Sequence, residues 1–198
     1  MTYDRFVVNR LSPRDAMFYF LDESRTTTHL GALLILSPQK EQSAEDAGPK
    51  GQGASSNASA RSTLDYPSLV TLVENRLQLV PRYRQVVREV TLGLARPVWV
   101  DDRDFDINFH IRRAGLPRPG GPGDLADLIA RVMSRPLDRT RPLWEMYLIE
   151  GLADGKLAIL TKSHRCLLDD GGGTEISEVI CDEQPEPCLL YTSPSPRD

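Results

Sequence analysis

Between residues 143 and 173, two apolar runs flank a Gly-Leu-Ala-Asp-Gly turn. The second run then breaks into Lys162-Ser163-His164-Arg165-Cys166-Leu167-Leu168-Asp169-Asp170-Gly171-Gly172-Gly173. Short apolar runs bounded by turn residues read as strands, and the turn at 151–155 makes a hairpin the economical arrangement. The second strand reads as buried, so its polar continuation lies at a strand end, where binding and catalytic groups collect. A helix is expected after the glycines, from residue 174 to about 181.

The rest of the chain can be built around this hairpin. Ser12, Pro13 and Asp15 form an approximate capping box for a helix. Ala16, Met17, Phe18, Phe20 and Leu21 make that helix apolar nearly all round, so it is expected to be well buried. Residues 29–36 (HLGALLIL) read as a core strand. Residues 39–62 are Gln, Ser, Gly, Ala, Lys and Glu without a periodic apolar face, and are expected to be a flexible insert loop. Helical spacing returns over 66–80 and stops at Pro81. Strands are expected at 85–92, 97–101 and 108–113, and an amphipathic helix at 124–135, with Leu125, Leu128, Ile129, Val132 and Met133 on one face. Helices and strands interleave without a regular βαβ beat, which predicts an α/β (α+β) chain with a mixed sheet and helices packed on it.

In the polar loop, His164 can be a general base, with Asp169 orienting it or fixing the loop. It can equally be a structural histidine beside a structural aspartate. His164, Cys166 and Asp169 match no standard zinc spacing. A phosphate loop is disfavoured because Asp169 and Asp170 repel phosphate and no Lys-Ser/Thr follows the glycines. His29 and His110 lie in expected strands and read as ordinary sheet residues. Trp99 and Trp144 read as core or domain-face anchors. Arg135, Arg139 and Arg141 read as a solvated turn, with an anionic contact the weaker alternative.

Composition removes several classes. The 198 residues carry a net charge of -4, which argues against a nucleic-acid-binding surface. No apolar run approaches the roughly 18 residues of a membrane span. The first ten residues lack a secretory apolar core, and the three cysteines include no C-x-x-C pair, so a reducing cytoplasm is expected.

Taken together, these stretches resemble the bacterial wax ester synthase/diacylglycerol acyltransferase family. The likeness runs through Leu11-Ser12-Pro13-Arg14-Asp15-Ala16-Met17-Phe18, Glu23-Ser24 and His29-Leu30-Gly31-Ala32. It continues in Val80-Pro81-Arg82-Tyr83-Arg84, Pro97-Val98-Trp99, Asp104-Phe105-Asp106 and Phe109-His110-Ile111-Arg112-Arg113. It ends with Arg135-Pro136-Leu137-Asp138-Arg139-Thr140-Arg141-Pro142-Leu143-Trp144-Glu145-Met146-Tyr147.

The resemblance implies one lobe of a chloramphenicol-acetyltransferase-like, CoA-dependent acyltransferase fold, formed by residues 1–187. A second, C-terminal lobe would close a tunnel between the two. The implied reaction moves a fatty acyl group from acyl-CoA, a co-substrate, to diacylglycerol or a long-chain alcohol. No metal or prosthetic group is implied. Lipid substrates imply peripheral contact with a membrane or lipid droplet. Trp144 is a packing or lobe-contact candidate.

The family motif is His-His-x-x-x-Asp-Gly, whose second His is taken as the base and whose Asp as structural. Here His164 matches the first His, Arg165 stands at the base position, Asp169 matches the Asp, and Asp170 replaces the Gly. An arginine stays protonated at any working pH and cannot accept the hydroxyl proton. The alternative function is therefore a catalytically inactive lipid- or CoA-binding lobe. Residues 188–198 (CLLYTSPSPRD) break from the family and read as a translated sequencing adaptor, so this tail is expected to be unstructured and non-native. The chain then reads as an N-terminal fragment, with single-base errors one source of Arg165 and Asp170.

Overall fold

A computed structural model describes residues 9–22, 27–38, 64–168 and 176–181. The expected insert loop at 39–62, the loop residues 169–173 and the tail at 188–198 lie outside these described residues.

Two sheets form the frame. The larger has the order β2 (His29–Leu36), β7 (Leu157–His164), β6 (Trp144–Glu150), β5 (Ile111–Gly115). β5 runs parallel to β6 and the other pairs are antiparallel, so the sheet is mixed as expected. The hairpin of β6 and β7 forms its centre, and six of the seven β6 residues are buried. A second antiparallel sheet joins β1 (Asn9–Arg10), β4 (Val98–Asp101) and β3 (Gln85–Arg88). The expected strand at 85–92 is thus cut short, ending before a 3₁₀ turn at Thr91–Gly93.

Strand alternation divides the core between the two faces of the larger sheet. Met146, Leu148 and Ile159 point to the main core with Leu11, Tyr19, Leu69, Val73, Tyr83, Trp99 and Ile176. These come in part from α1 (Pro13–Leu21), α2 (Tyr66–Arg76) and α5 (Ile176–Ile180). Tyr147, Ile149, Ala158 and Leu160 point the other way, onto Leu125 and Val132 of a long helix over Pro122–Met133. Trp144 is fully buried and its indole N–H donates to the Tyr83 carbonyl at 2.7 Å, which makes it a packing residue.

Four expectations are corrected. α1 is not buried all round: Ala16 and Tyr19 face the core, while Met17, Phe20 and Leu21 are exposed. Among the described residues β2 pairs only with β7, so it is an edge strand, with Leu30, Leu33, Ile35 and Leu36 exposed. Apolar content alone does not distinguish a core strand from such an edge. Residues 108–110 are not strand. Asp106 accepts from the Asn108 backbone N–H at 2.9 Å and starts a helical turn, α3 (Ile107–His110), before β5 begins. The long helix, α4, begins at Pro122 rather than 124, with the Asp124 carboxylate accepting from the Gly121 N–H.

Candidate active site

The site grows from the end of β7. His29 pairs in register with His164, so Thr28, the residue before β2, lies opposite position 165. The Arg165 N–H donates to the Thr28 carbonyl at 2.9 Å and the His164 N–H to the Leu143 carbonyl at 2.9 Å. The chain then turns into a 3₁₀ segment, Arg165–Leu167, capped by the histidine ring itself: the Cys166 N–H donates to His164 Nδ1 at 3.1 Å.

That contact fixes the proton on the ring. A backbone N–H can only donate, so Nδ1 is bare and Nε2 carries the hydrogen. Nε2–H therefore donates to Thr28 Oγ1 at 2.8 Å, and the Thr28 hydroxyl donates onward to the Phe18 carbonyl at 3.1 Å. The Asp22 carboxylate stands 3.6 Å from Nε2 and accepts from the Thr28 N–H at 2.9 Å. His164 is 1% exposed. Burial pushes its pKa down to about 4; Asp22 opposes the shift, while Arg139 and His29 add to it. The imidazole is neutral at pH 7, with both nitrogens engaged.

Arg139 secures the aspartate. Its guanidinium donates to the carbonyls of Tyr19, at 2.6 Å, and Asp22, lies 3.8 Å from the Asp22 carboxylate and sits 4.5 Å over the Tyr19 ring. Arg141 packs 4.1 Å over Phe109. The segment read as a solvated turn is thus tied to α1 and α3 through two of its arginines.

Arg165 differs from its neighbour. Its side chain is exposed and stacks 4.5 Å over Phe18 of α1. His164 and Arg165 are therefore adjacent in sequence and opposite in environment, one locked inside and one presented at the surface. Cys166 is a fully buried free thiol whose pKa burial pushes well up. Asp169, the third predicted site residue, lies outside the described residues. His29 donates from Nε2 to the Met133 carbonyl at 2.6 Å. His110, which sits in α3, stacks 4.6 Å from Trp144 and donates from Nδ1 to the Trp144 carbonyl.

Sequence reasoning missed Asp22, Thr28 and Arg139. Thr28 was within reach: pairing the 29–36 strand with the second hairpin strand puts its preceding residue opposite 165. Nothing local marks Asp22 or Arg139 as part of the site, because the His164 ring that Asp22 approaches and the α1 groups that Arg139 meets lie more than a hundred residues away.

A mixed sheet flanked by helices, with a buried histidine at a central strand end and a presented side chain beside it, defines one lobe of the chloramphenicol-acetyltransferase-like acyltransferase class. The chain belongs to the wax ester synthase/diacylglycerol acyltransferase family, whose catalytic-domain model matches residues 11–198. It is 46% identical over 181 residues to the probable diacylglycerol O-acyltransferase tgs3 of Mycobacterium tuberculosis, a match covering 91% of this chain and 59% of that relative's length. It is similar in structure to the wax ester synthase/diacylglycerol acyltransferase of Marinobacter aquaeolei VT8, at 29% identity and TM-score 0.57, over 81% of this chain and 35% of that one. The first condensation domain of the calcium-dependent antibiotic synthetase shares the fold at 13% identity and TM-score 0.61, over 88% of this chain and 36% of that one. Among the described residues no helix is long and apolar enough to cross a membrane.

Proposed function

We propose that these residues form the N-terminal lobe of an O-acyltransferase that moves a fatty acyl group from acyl-CoA to diacylglycerol or a long-chain alcohol, and that the reaction's base belongs at position 165. One observation carries the assignment of the base: His164 is buried with both ring nitrogens engaged, whereas the side chain at 165 is exposed beside it. A group at 165 can reach a substrate from the strand end, and the imidazole at 164 cannot.

In the reaction, the acceptor hydroxyl gives its proton to the base while its oxygen attacks the thioester carbonyl carbon. The C–S bond then breaks, and the CoA sulfur takes the proton as free thiol. No prosthetic group or metal is used. Asp169 takes the structural role that the family motif gives its Asp. A second lobe completes the tunnel, and the lipid substrates bring the protein to a membrane or droplet surface as a peripheral partner.

Arg165 itself favours a second reading, a lobe that binds lipid or CoA without turnover, because a guanidinium cannot take the proton. Both readings are tested by joining this chain to the C-terminal part of the M. tuberculosis relative and supplying radiolabelled long-chain acyl-CoA with diacylglycerol or hexadecanol. The Arg165→His chimera is expected to form labelled triacylglycerol or wax ester. The chain alone is expected to form none. Absence of ester from the Arg165→His chimera with either acceptor would overturn the reading.

A further inference from the structure

We propose that Thr28 is the positioning residue of this site: its hydroxyl accepts the Nε2–H of His164 and so orients the ring, and its carbonyl and that ring together hold the turn that presents residue 165. The link to residue 165 as the reacting position rests on the function proposed above; the tautomer claim does not.

Three hydrogen bonds form a one-way chain. The Cys166 N–H enters His164 Nδ1 at 3.1 Å, Nε2–H enters Thr28 Oγ1 at 2.8 Å, and the Thr28 hydroxyl enters the Phe18 carbonyl at 3.1 Å. Both ends are fixed, one a donor that cannot accept and the other an acceptor that cannot donate, so every hydrogen between them has one orientation. Thr28 is the only hydroxyl in this chain of bonds. The same residue accepts the Arg165 N–H on its backbone carbonyl, so one side chain and one carbonyl grip two successive residues of the turn.

Thr28 is held in turn. Its N–H donates to Asp22 Oδ1, and the side chain of Asp22 is 6% exposed, beneath Arg139. Removing the hydroxyl leaves Nε2–H facing Asp22 Oδ2, 3.6 Å away, as its remaining neighbour. The ring then has to tilt toward that oxygen, and the Cys166 N–H loses its acceptor. Residue 165, first in the same turn, moves with it.

The experiment uses the full 198-residue chain and its Thr28→Val and Thr28→Ser variants. Imidazole ¹⁵N shifts report the His164 tautomer, and amide exchange at Cys166 reports the ring cap. The parent is expected to show Nε2–H. Thr28→Val should speed Cys166 exchange by roughly tenfold, the equivalent of one lost buried hydrogen bond, while the amide of Leu160 stays protected. Thr28→Ser should restore slow Cys166 exchange. An Nδ1–H tautomer in the parent, which needs no variant, or unchanged Cys166 exchange in a folded Thr28→Val protein, overturns the proposal. In the Arg165→His chimera, Thr28→Val should lower kcat by roughly 10²-fold, the scale of a reacting group misplaced by about 1 Å, with little change in KM. An unchanged kcat there would overturn the link to residue 165. An Arg165→His chimera inactive even with Thr28 intact would instead overturn the proposed function, and the ¹⁵N and exchange results would still decide the tautomer.

Discussion

A buried imidazole beside a carboxylate can act as acid, base or brace, and at His164 the direction of its hydrogen bonds decides. The sequence announced the residue and left both roles open, because the spacing from His164 to Asp169 does not say which atoms meet. Among the described residues, the carboxylate that approaches the ring is Asp22, from a different part of the chain. The buried, neutral state has a consequence for stability. His164 has a folded pKa near 4, well below the ordinary histidine value of 6.5. Below pH 6.5 the unfolded chain therefore binds a proton that the folded chain refuses. Stability from this residue is fully present above about 6.5 and is lost as the pH falls toward 4, by on the order of 3 kcal/mol in all. His29 and His110 are also shifted down by burial, and they act with the same sign. The urea midpoint should thus fall steadily from pH 7 to pH 5. A midpoint independent of pH over that range would contradict the buried, neutral assignment.

Elements were legible where pattern and punctuation agreed. Ser12 caps α1 as read, its hydroxyl oxygen accepting from the Asp15 N–H at 3.1 Å, while the Asp15 carboxylate returns to accept from the Ser12 hydroxyl at 2.7 Å. The hairpin of β6 and β7 stands where two apolar runs and five turn residues put it. Residues 108–110 failed because a short alternating stretch fits a strand or one helical turn equally, and the Asp106 cap settles the choice. The end of α4 depends on a residue no local pattern reveals. Lys162, in the middle of β7, is fully buried and donates from Nζ to the carbonyls of Val132, at 2.9 Å, and Arg135. Burial lowers its pKa, and the charge of Glu145, opposite it on β6, works against that shift. A strand lysine thus caps a helix C-terminus, adding a donor to the Val132 carbonyl, which also takes the Arg135 N–H at 3.4 Å, and reaching the Arg135 carbonyl beyond it. Lys162→Met keeps the bulk and removes the donor, and should cost about 1–3 kcal/mol by chemical denaturation, the penalty for losing the lysine bonds and leaving the Arg135 carbonyl without this donor. A neutral or stabilising result would show that the cap contributes nothing net.

At the scale of the molecule, the mixed sheet followed from the irregular order of strands and helices, while the separate three-stranded sheet of β1, β4 and β3 did not. Two of its strands, β3 and β4, fall within stretches read as strand, but β1 is two residues long, too short for periodicity to register, and no local pattern says that the three pair apart from the larger sheet. The split of the core into two clusters likewise depends on which face of the central hairpin each helix covers. The chain spans 59% of the length of its M. tuberculosis relative, and α1 and β2 expose Met17, Phe20, Leu21, Leu30 and Ile35. The frame serves one end: β7 delivers a locked histidine and, next to it, an exposed side chain stacked on Phe18, at the position the proposed function gives to the base. The central claim is that catalysis belongs to position 165 and support to position 164. It is tested most directly by the rate of acyl transfer in the completed chimera with Arg165→His relative to the Arg165 parent. A positioned base is typically worth roughly 10²–10⁴-fold, so a gain of that size is predicted. A parent already fully active, unimproved by Arg165→His and abolished by His164→Ala, would contradict the account and make His164 the base.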